Sequence, residues 1–519
     1  MRSYLILTVL GAAFLALNSP NFVRAETETD IGSAKKPNVL FIMADDHTTQ
    51  AIGAYGSRLA RLNPTPNIDA LVKRGIRFDR VFCNNSICTP SRASIITGQY
   101  SQTNGVLDLT GNIPPNKQYL PTEMKKAGYE TAMIGKWHLK QEPAAFDYYC
   151  VLPGQGKYFS PQFRIRGSQP WPKNVVTKPG THSSDAITDI SLEWLKHGRD
   201  QSRPFFLMHH FKAPHDMFQN AERYNDYLSE VDIPEPQNLR GQPAEEFGSV
   251  GSRGFGSGLT KGHEPWKLGR RLGIDQTLKE PEYSTLVYQE YLKRYLRCVK
   301  GVDDNVGRIV DYLRDSGELD NTLIIYTGDQ GFFLGEHDLM DKRWMYEEAM
   351  RMPFIVSSPK YVSGNITNDW LINNTDFAPT ILDFAGVQVP TYMQGRSFKS
   401  AFSGAKTPED WRQVTYYRYW MHLAHNLAVP AHFGIRTSRY KLIFYYGCKP
   451  DGTQKTPAAW ELYDLAKDPM EMRNEFNNPT YREIVLNLKK QLWETRESLD
   501  ETDSAYPEIQ AIIDEHRQD

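Results

Sequence analysis

Cys88 lies in a segment whose neighbours could make it reactive. Residues 86–98 read Ser-Ile-Cys-Thr-Pro-Ser-Arg-Ala-Ser-Ile-Ile-Thr-Gly, in which Pro90 and Gly98 suit the beginning and the end of a helix. The free backbone N–H groups and the dipole at a helix N-terminus favour an anion. The segment therefore predicts that Cys88 takes part in chemistry beside an anion-binding helix end; the alternative is a buried cysteine in a turn.

Predicted strands end in residues that bind ions or move protons. The residues that follow four of these strands are Asp45 and Asp46, Lys136 and His138, Lys212 and His215, and Asp329 and Gln330. In open α/β sheets ligands bind beyond the carboxyl ends of the strands, so we expect these side chains to converge. Each alone would suit a helix cap or an exposed loop, whereas their meeting at one sheet edge indicates a functional site.

The carboxylates of this predicted edge need a cation. Three carboxylates brought together repel one another, and they do not all ionise without a positive charge between them. Carboxylate and amide oxygens, without a set of thiolates or imidazoles, favour Ca²⁺ or Mg²⁺ over zinc. We predict Ca²⁺, with Mg²⁺ as the alternative. The lysines need an anion instead, and a tetrahedral oxyanion group between metal and lysines would satisfy both.

The elements that would position these residues alternate between strand and helix. Continuous apolar runs predict buried strands at 39–43, 131–134, 205–208 and 323–326. Helical periodicity predicts helices at 65–75, 121–127, 184–195 and 286–314, the first capped by Thr65 and the third by Ser184 or Asp185. This alternation predicts an α/β fold with a large, mostly parallel mixed sheet sandwiched by helices.

The pattern changes near Ser400. Residues 440–445 and 460–465 alternate between apolar and polar, which predicts a small antiparallel sheet, and an amphipathic helix follows. We therefore predict a catalytic α/β domain at 35–400 and a smaller C-terminal α+β domain at 401–519. Residues 236–262 are rich in Gly, Pro and Ser and are predicted to form a long surface loop.

The N-terminus and the composition bear on location and partners. Arg2, the apolar run 5–17 and the small-residue pattern that ends at Ala25 predict a signal peptide over residues 1–25, and hence a periplasmic or secreted protein. The run is shorter than the roughly 20 residues of a membrane span, and no later stretch predicts one. A net charge of −2 shows no basic excess that would predict a nucleic-acid partner.

The cysteine count fits a special role for Cys88. Export permits disulfides, and the chain has five cysteines, so at least one is not in an internal pair. Cys88 is the candidate for the unpaired residue. Cys83, Cys150, Cys298 and Cys448 could form zero, one or two bridges, and the sequence does not choose between these alternatives.

The chain resembles the type I sulfatase family, which is formylglycine-dependent and has an alkaline-phosphatase-like fold. Cys88-Thr89-Pro90-Ser91-Arg92 matches the family's modification signature, and Gly135-Lys136-Trp137-His138 matches its second signature. Further matches follow in chain order at 37–46, 213–215, 327–329 and Lys342. The resemblance spans essentially the whole mature chain, and several segments matched in order make it specific.

The resemblance implies a role for each matched residue. A formylglycine-generating enzyme would oxidise Cys88 to formylglycine (3-oxoalanine) during maturation. Ca²⁺ would bind to residue 88 and to Asp45, Asp46, Asp329 and Gln330, although many family members carry Asn or His at the last of these positions. Arg92 and Lys136 would hold the formylglycine. Lys212 and Lys342 would bind the sulfate oxygens, and His138 and His215 would move protons.

A hydrated aldehyde at residue 88 would explain how sulfate leaves. One of its two hydroxyls would attack sulfur, with Asp329 as the base, and His215 would protonate the departing alcohol. His138 would then deprotonate the second hydroxyl, which expels sulfate as the aldehyde reforms. The expected activity is hydrolysis of sulfate esters. The alternatives are a phosphonate or phosphate monoester hydrolase of the same superfamily and a non-catalytic glycan-binding relative.

The organic part of the substrate is predicted from the resemblance. Residues 151–156 resemble those of carbohydrate sulfatases, including enzymes that act on N-acetylglucosamine 6-sulfate and on algal polysaccharides. We therefore expect a sulfated carbohydrate, either an oligosaccharide or a polysaccharide. His432 and Arg436 are predicted to contact the sugar or neighbouring sulfates, and the alternative is that they brace the two parts of the chain.

Overall fold

The computed structural model of the protein describes residues 36–167, 169–240, 258–262, 264–362 and 364–517. The predicted signal peptide at 1–25 lies outside these residues, as does the 241–257 part of the predicted surface loop. Among the described residues, the search for a helix long and apolar enough to cross a membrane found none.

Strands of the described residues form one ten-stranded sheet, one four-stranded sheet and two two-stranded sheets, β10-β11 and β14-β3. In chain order they are β1 (Asn38–Asp45), β2 (Gly75–Phe78), β3 (Val81–Phe82), β4 (Glu130–Lys136), β5 (Tyr148–Leu152), β6 (Gln162–Ile165), β7 (Val175–Thr177), β8 (Phe205–Pro214), β9 (Thr322–Gly328), β10 (Phe333–Leu334), β11 (Met340–Asp341), β12 (Phe354–Ser357), β13 (Ile366–Asn368), β14 (Ile372–Asn373), β15 (Val414–Tyr419), β16 (His432–Thr437), β17 (Tyr440–Tyr445) and β18 (Ala459–Asp464). The large sheet has the order β13-β2-β12-β9-β1-β8-β4-β5-β6-β7. Its centre, β9-β1-β8-β4-β5, is parallel, and antiparallel pairs lie towards both edges.

The parallel centre of the large sheet is buried on both faces. Every residue of β1 and of β8 is buried, which explains why their sequences are continuous apolar runs instead of alternating ones. Val39 and Phe41 of β1 belong to one apolar cluster, and Leu40 and Ile42 belong to another on the opposite face. This arrangement confirms the predicted α/β fold with a mostly parallel sheet.

Helices cover the two faces. They are α1 (Pro66–Lys73), α2 (Cys88–Thr97), α3 (Ser101–Asn104), α4 (Tyr119–Lys126), α5 (Ser183–Glu193), α6 (Leu268–Leu272), α7 (Glu282–Asp315), α8 (Glu347–Met350), α9 (Phe377–Phe384), α10 (Arg482–Ser498) and α11 (Pro507–His516). Buried side chains of α1, α5 and α7 join the cluster of Leu40, and those of α2, α4 and α9 join the cluster of Val39.

Of the predicted helix caps, Thr65 lies at the N-cap position of α1 as predicted, whereas the prediction for α5 is wrong. Thr65 does not cap α1 with its side chain; the Asp303 carboxylate of α7 instead accepts hydrogen bonds from the N–H groups of Asn67 and Ile68, at 2.9 and 2.8 Å. The cap of α5 is His182, whose Nδ1 accepts from Ser184 N–H at 3.3 Å. In α1 a carboxylate far away in sequence satisfies the free N–H groups, which local patterns do not reveal.

The C-terminal sheet is also as predicted. β15-β16-β17-β18 form an antiparallel meander, and α10 packs its buried Val485, Leu488 and Leu492 into the same apolar cluster as Phe433 and Leu442. Pro37–Asp519 forms one compact unit by its internal contacts, and the predicted domain boundary at residue 400 stays a prediction.

All five cysteines lie among the described residues, and the structure answers the question of their pairing. Each of them is buried as a free thiol, and none of them forms a disulfide. The predicted alternatives therefore reduce to zero bridges.

Candidate active site

Neighbouring strands deliver the predicted residues to one sheet edge. In the order β9-β1-β8-β4, each strand runs parallel to the next, so their carboxyl ends meet. Asp329 N–H donates to the Ala44 carbonyl at 3.2 Å, which places Asp329 beside Asp45. The register of β1 against β8 shifts before Asp45, which pairs with Pro214 and brings His215 to the same edge. The structure thus shows the convergence that the sequence predicts.

Asp45, Asp46 and Asp329 form a buried carboxylate cluster, with one oxygen of each within 4.8 Å of the others. Asp46 N–H donates to Asp329 Oδ1 at 3.0 Å. Burial, and next the charge of Asp45, raises the pKa of Asp329 to about 7. Burial opposes ionisation of Asp45 too, but Lys136 and His215 hold the pKa of Asp45 well below its ordinary value. Crowding therefore gives two otherwise similar carboxyl groups pKa values that differ widely.

A different element supplies a cation to each carboxylate. The pairs are Arg92 Nε with Asp329 Oδ2 at 3.0 Å, Lys136 Nζ with Asp45 Oδ2, and Lys342 Nζ with Asp46 Oδ2 at 2.6 Å. Arg92 Nη1 also donates to the Lys136 carbonyl at 2.6 Å, which ties α2 to the end of β4. A divalent cation bound by the carboxylates would free Lys136 and Lys342 for the oxygens of an anionic substrate.

The donor atoms of the cluster fit a hard divalent cation. Gln330 Nε2 donates to Asp46 Oδ1, while Gln330 Oε1 is buried and has no hydrogen-bond partner among the described residues. An unpartnered buried oxygen beside carboxylates is the type of ligand that Ca²⁺ and Mg²⁺ take. The residues that would hold the ion are Asp45, Asp46, Asp329 and Gln330. Cys88 and His215 form an overlapping group with Asp45, so residue 88 borders the same cluster.

Cys88 is the first residue of α2, with Ile87 as the cap, so the helix begins two residues before the predicted start at Pro90. Its Sγ lies 3.4 Å from Asp45 Oδ1. Burial, and next the charge of Asp45, raises the pKa of the Cys88 thiol well above its ordinary value. A reactive thiolate needs the opposite environment. The site therefore suits a residue 88 that acts in a form other than a free thiol.

Two histidines present nitrogen atoms to this edge. His215 Nδ1 lies 2.6 Å from Asp216 Oδ1, and His215 Nε2 lies 3.7 Å from Asp46 Oδ2. His138 Nδ1 lies 3.5 Å from the hydroxyl of Thr89, the neighbour of Cys88 in the chain. Burial, and next the charge of Lys136, lowers the pKa of His138 to about 2, so its imidazole is neutral. Both rings therefore lie beside groups of this site, His215 at Asp46 and His138 at the chain neighbour of Cys88.

Lys212 completes the predicted set. Its Nζ lies over the ring of Tyr158 at 4.7 Å from the ring centre. Burial, and next the charge of Lys136, lowers the pKa of Lys212 to about 8. Since Asp45 and Asp46 also act on its charge, Lys212 belongs to the same electrostatic site.

Several residues of the site escape the sequence analysis. Gln155 Oε1 accepts a hydrogen bond from Lys136 Nζ at 2.6 Å, and the Tyr158 hydroxyl donates to the His215 carbonyl. Both follow β5, whose pairing with β4 the sequence analysis did not predict. Tyr295 of α7 donates its hydroxyl to the Asp46 carbonyl at 2.7 Å. The sequence held one signal for Gln155: it is flanked by Gly154 and Gly156, directly after the buried end of a strand at Leu152.

His432 and Arg436 are not brought into contact with the carboxylate cluster. His432 is 0% exposed, and its ring packs among Trp344 and Tyr417. Arg436 Nε is bound to Glu347 Oε1 at 3.1 Å. Both side chains tie the C-terminal sheet to the 344–347 segment, which favours the bracing alternative; contact with a sugar stays a prediction.

Comparisons with known proteins agree with this geometry. The model of the sulfatase family matches residues 37–387, and that of the C-terminal region of N-sulphoglucosamine sulphohydrolase matches residues 335–498. The N-acetylglucosamine-6-O-sulfatase of Bacteroides thetaiotaomicron is 38% identical over 513 residues, covering 90% of this chain and 88% of the relative. An arylsulfatase of Clostridium perfringens is 25% identical over 507 residues, covering 90% of this chain and 95% of the relative.

A solved structure extends the comparison to the fold. The structure of BT4656 in complex with its substrate D-glucosamine-2-N,6-O-disulfate superposes with a TM-score of 0.78 at 38% identity, covering 91% of this chain and 99% of that one. The match to the sulfatase family model includes every strand end of the carboxylate cluster and the helix of Cys88. The chain therefore belongs to the sulfatase family and is a sulfuric ester hydrolase, as the sequence motifs predicted.

Proposed function

We propose that this protein is an exported carbohydrate sulfatase that removes the 6-O-sulfate of glucosamine residues, N-acetylated or N-sulfated, in a glycosaminoglycan-type substrate. The observation that carries the proposal is the near-full-length similarity, at 38% identity, to an N-acetylglucosamine-6-O-sulfatase. The substrate held by the similar solved structure, a glucosamine with a 6-O-sulfate, supports the same sugar and position. The signal-peptide pattern over residues 1–25 supports export to the periplasm or beyond.

The nucleophile of the proposed reaction is residue 88 in its formylglycine form. The hydrate of this group would offer one hydroxyl for attack on sulfur and a second for the release of sulfate. Asp45, Asp46, Asp329 and Gln330 would hold a Ca²⁺ or Mg²⁺ ion, which would supply positive charge beside the sulfate oxygens. Arg92 fixes the Asp329 carboxylate at 3.0 Å, so that Asp329 can accept the proton of the attacking hydroxyl.

His215 is the proposed proton donor to the departing sugar alcohol. Asp216 holds Nδ1 at 2.6 Å, which leaves Nε2 directed towards the carboxylate cluster. A carboxylate on one imidazole nitrogen holds the ring in one orientation, as required of a group that delivers a proton to a fixed oxygen. His138, kept neutral by burial and by Lys136, is the proposed base for the second hydroxyl.

Lys212 and Lys342 are the proposed ligands of the sulfate oxygens. Both ammonium groups lie beside aromatic rings, Lys212 over Tyr158 at 4.7 Å and Lys342 over Phe332 at 5.4 Å. Fixed cations in a water-poor pocket stabilise the charge that spreads over the sulfuryl oxygens in the transition state. This arrangement binds a sulfate ester without specifying the sugar, so the sugar must be tested separately.

The test is the release of sulfate from a defined panel. The protein is produced with a formylglycine-generating enzyme and supplied with N-acetylglucosamine 6-sulfate, its 3-sulfate isomer, glucosamine-2-N,6-O-disulfate and an aryl sulfate. We expect sulfate from the 6-position of both glucosamine substrates, with the N-sulfate retained. Activity confined to the aryl sulfate, or to another position of the sugar, would overturn the proposed substrate.

The state of residue 88 is the control for this panel. Mass spectrometry of the peptide that contains residue 88 should show loss of the thiol and gain of an aldehyde. Sulfate release by protein that retains an unmodified Cys88 would contradict the proposed nucleophile, whatever the substrate.

A further inference from the structure

The region after β5 carries an unusual excess of positive charge. Residues 148–184 contain no Asp or Glu but five Lys and Arg residues, in a chain that has 62 acidic residues in all and a net charge of −2. The five cations are Lys157, Arg164, Arg166, Lys173 and Lys178. Among the described residues, no ion pair involves any of them. The sheet edge that carries the active site therefore continues, after β5, into a segment that has Lys and Arg residues but no Asp or Glu.

Two of these cations lie at the active-site end of the strands. Lys157 is two residues beyond Gln155, whose side-chain oxygen lies 2.6 Å from Lys136 Nζ in the active site. Lys178 directly follows β7, and its N–H donates to the Pro161 carbonyl at 2.9 Å. Lys157 and Lys178 are both exposed. Since neighbouring strands lie about 4.8 Å apart, β7 and Lys178 are roughly 14 Å from β4, a distance beyond a single sugar ring bound in the pocket.

The aromatic residue Phe159 lies between these two lysines in the chain. Phe159 is 42% exposed, and its backbone pairs with that of His182, which follows Lys178 by four residues. An exposed ring of this size offers an apolar face to the C–H groups of a sugar. We call Lys157, Phe159 and Lys178 the basic rim.

The acids nearest in the chain offset little of this charge. Helix α5 carries three acidic residues, of which Asp185 is paired with Arg223 at 2.7 Å and Asp189 with Arg308 at 2.6 Å. Glu193 is the third, and Asp189 and Glu193 both line a groove that Lys178 also lines. Exposed charges of one sign beside an active site attract ligands of the opposite sign and raise their local concentration.

We infer that the basic rim binds the anionic groups of sugar residues beyond the one that reacts, so that the enzyme favours sulfated oligosaccharides or polysaccharides over single sulfated sugars. The inference rests on the proposed carbohydrate sulfatase function and assigns it a substrate size. The charge complementarity to a polyanionic glycan and the position of the rim next to Lys136 carry it. A chain leaving the pocket over Gln155 would meet Lys157 first, then Phe159 and Lys178.

The test is a binding measurement in a Cys88→Ala background, which prevents turnover. Titration calorimetry compares a sulfated glucosamine-containing octasaccharide with N-acetylglucosamine 6-sulfate. In Lys157→Gln/Lys178→Gln, we expect the octasaccharide to bind on the order of fivefold more weakly and the monosaccharide to bind as before, because exposed ion pairs are weak individually. Added salt should reduce the octasaccharide's advantage in the parent protein and less so in the double variant.

The matched control removes the same charge elsewhere. Lys173→Gln/Lys406→Gln alters one exposed lysine at the far end of the β6–β7 hairpin and another that follows the helical turn Lys399–Ser403, outside the β4–β7 side of the sheet. This variant should bind both ligands like the parent. Equal weakening in the control, equal weakening of both ligands, no weakening at all, or no binding of the octasaccharide by the parent would each overturn the inference.

Two further outcomes separate the rim from the proposed function. If a DNA duplex of equal charge displaces the octasaccharide as well as unlabelled octasaccharide does, the rim is a general polyanion surface and the glycan assignment is wrong. If the active enzyme releases no 6-O-sulfate while the rim variant still loses octasaccharide affinity, the proposed reaction fails and the binding surface stands.

Discussion

The active site and the junction of β15 with the C-terminal tail both gather buried charges, and these two places differ in how their charges are satisfied. At the active site, carboxylates and cations come from the ends of parallel strands, and Gln330 Oε1 is left without a hydrogen-bond partner there. At the junction of β15 with the C-terminal tail, Arg418 is bound to Asp503 at 2.6 Å and to Glu501 at 3.0 Å. Arg496 is bound to Asp503 as well.

The difference teaches which buried charges serve chemistry and which serve stability. The tail carboxylates are paired with arginines whose planes lie on aromatic rings, Arg418 on Trp420 at 3.4 Å and Arg496 on Phe433 at 4.1 Å. Such a network joins two segments of chain through arginine–carboxylate pairs, although Arg418 Nε and Arg496 Nε have no hydrogen-bond partner among the described residues. The active-site cations instead neutralise carboxylates that a metal would take over, so they can exchange partners.

The side chains of strand β15 alternate between the tail network and the active-site side of the strand. Arg418 faces the tail, whereas Tyr417 and Tyr419 on the other face reach the residue that follows Lys342: the Tyr417 hydroxyl donates to the Arg343 carbonyl at 2.7 Å, and Arg343 Nη1 donates to the Tyr419 hydroxyl at 3.0 Å. We therefore expect substitutions in the active site to change turnover and those in the tail network to change stability.

The largest effect is expected at residue 88. Cys88→Ala should abolish turnover, because no other group at the end of α2 can supply the hydroxyls, and its melting temperature should match the parent's. The control is Cys83→Ala, which removes a buried thiol five residues earlier whose Sγ lies 4.0 Å from the Ala349 carbonyl. Near-normal sulfate release by Cys88→Ala, free of contaminating sulfatase, would contradict the mechanism.

Lys342→Ala is expected to follow. Loss of the ammonium bound to Asp46 at 2.6 Å should lower kcat/KM on the order of 10²–10³-fold, as for other fixed charges that stabilise a transition state. The free energy of unfolding should change far less than in the tail variant below. A stability loss large enough to account for the missing activity would erase the distinction between the two regions.

In the tail network the expected effect is on folding. Arg418→Met leaves the carboxylates of Glu501 and Asp503 short of a partner, which should lower the free energy of unfolding by roughly 3–5 kcal/mol in urea titrations. The kcat/KM of the folded fraction should stay that of the parent. The control is Arg439→Gln, which breaks an ion pair whose arginine is 47% exposed and should lower the free energy of unfolding far less. Equal losses in both variants would refute the contrast.

Sequence patterns predicted the active site better than the tail network, for a physical reason. Asp45 and Asp329 follow continuous apolar runs, and parallel strands bring such ends together in any open sheet. Cys88 was recognisable from a local motif, although the helix begins at the cysteine itself. Arg418 and Asp503 had no such signal, because their pairing depends on how the tail folds back over β15.

The same limit explains the other errors. Asp303 caps α1 from 236 residues away, and no local pattern reports a contact of that kind. The sequence left His432 and Arg436 between two roles because a residue on a strand can face either side. Gln155 and Tyr158 were missed because only the pairing of β5 with β4 places their segment over the active site.

The smallest expected effect concerns Tyr158, which belongs to the active site without touching the carboxylates. Its hydroxyl donates to the His215 carbonyl, and its ring lies under Lys212 Nζ at 4.7 Å. Tyr158→Phe keeps the ring and loses one hydrogen bond, so kcat should fall roughly three- to tenfold with little change in KM. Tyr158→Leu loses the ring as well and should also raise KM, because Lys212 is no longer held for the sulfate.

Tyr148→Phe is the matched control, since Tyr148 lies on β5 and stacks on Trp194 at 6.4 Å instead of on an active-site residue. Its kinetics should equal the parent's. If Tyr158→Phe loses stability and keeps its kcat, Tyr158 belongs with Arg418 as a support of the fold, and the active site ends at the residues that contact the carboxylate cluster. If kcat falls at unchanged stability, the region that serves chemistry extends through Tyr158 towards the basic rim.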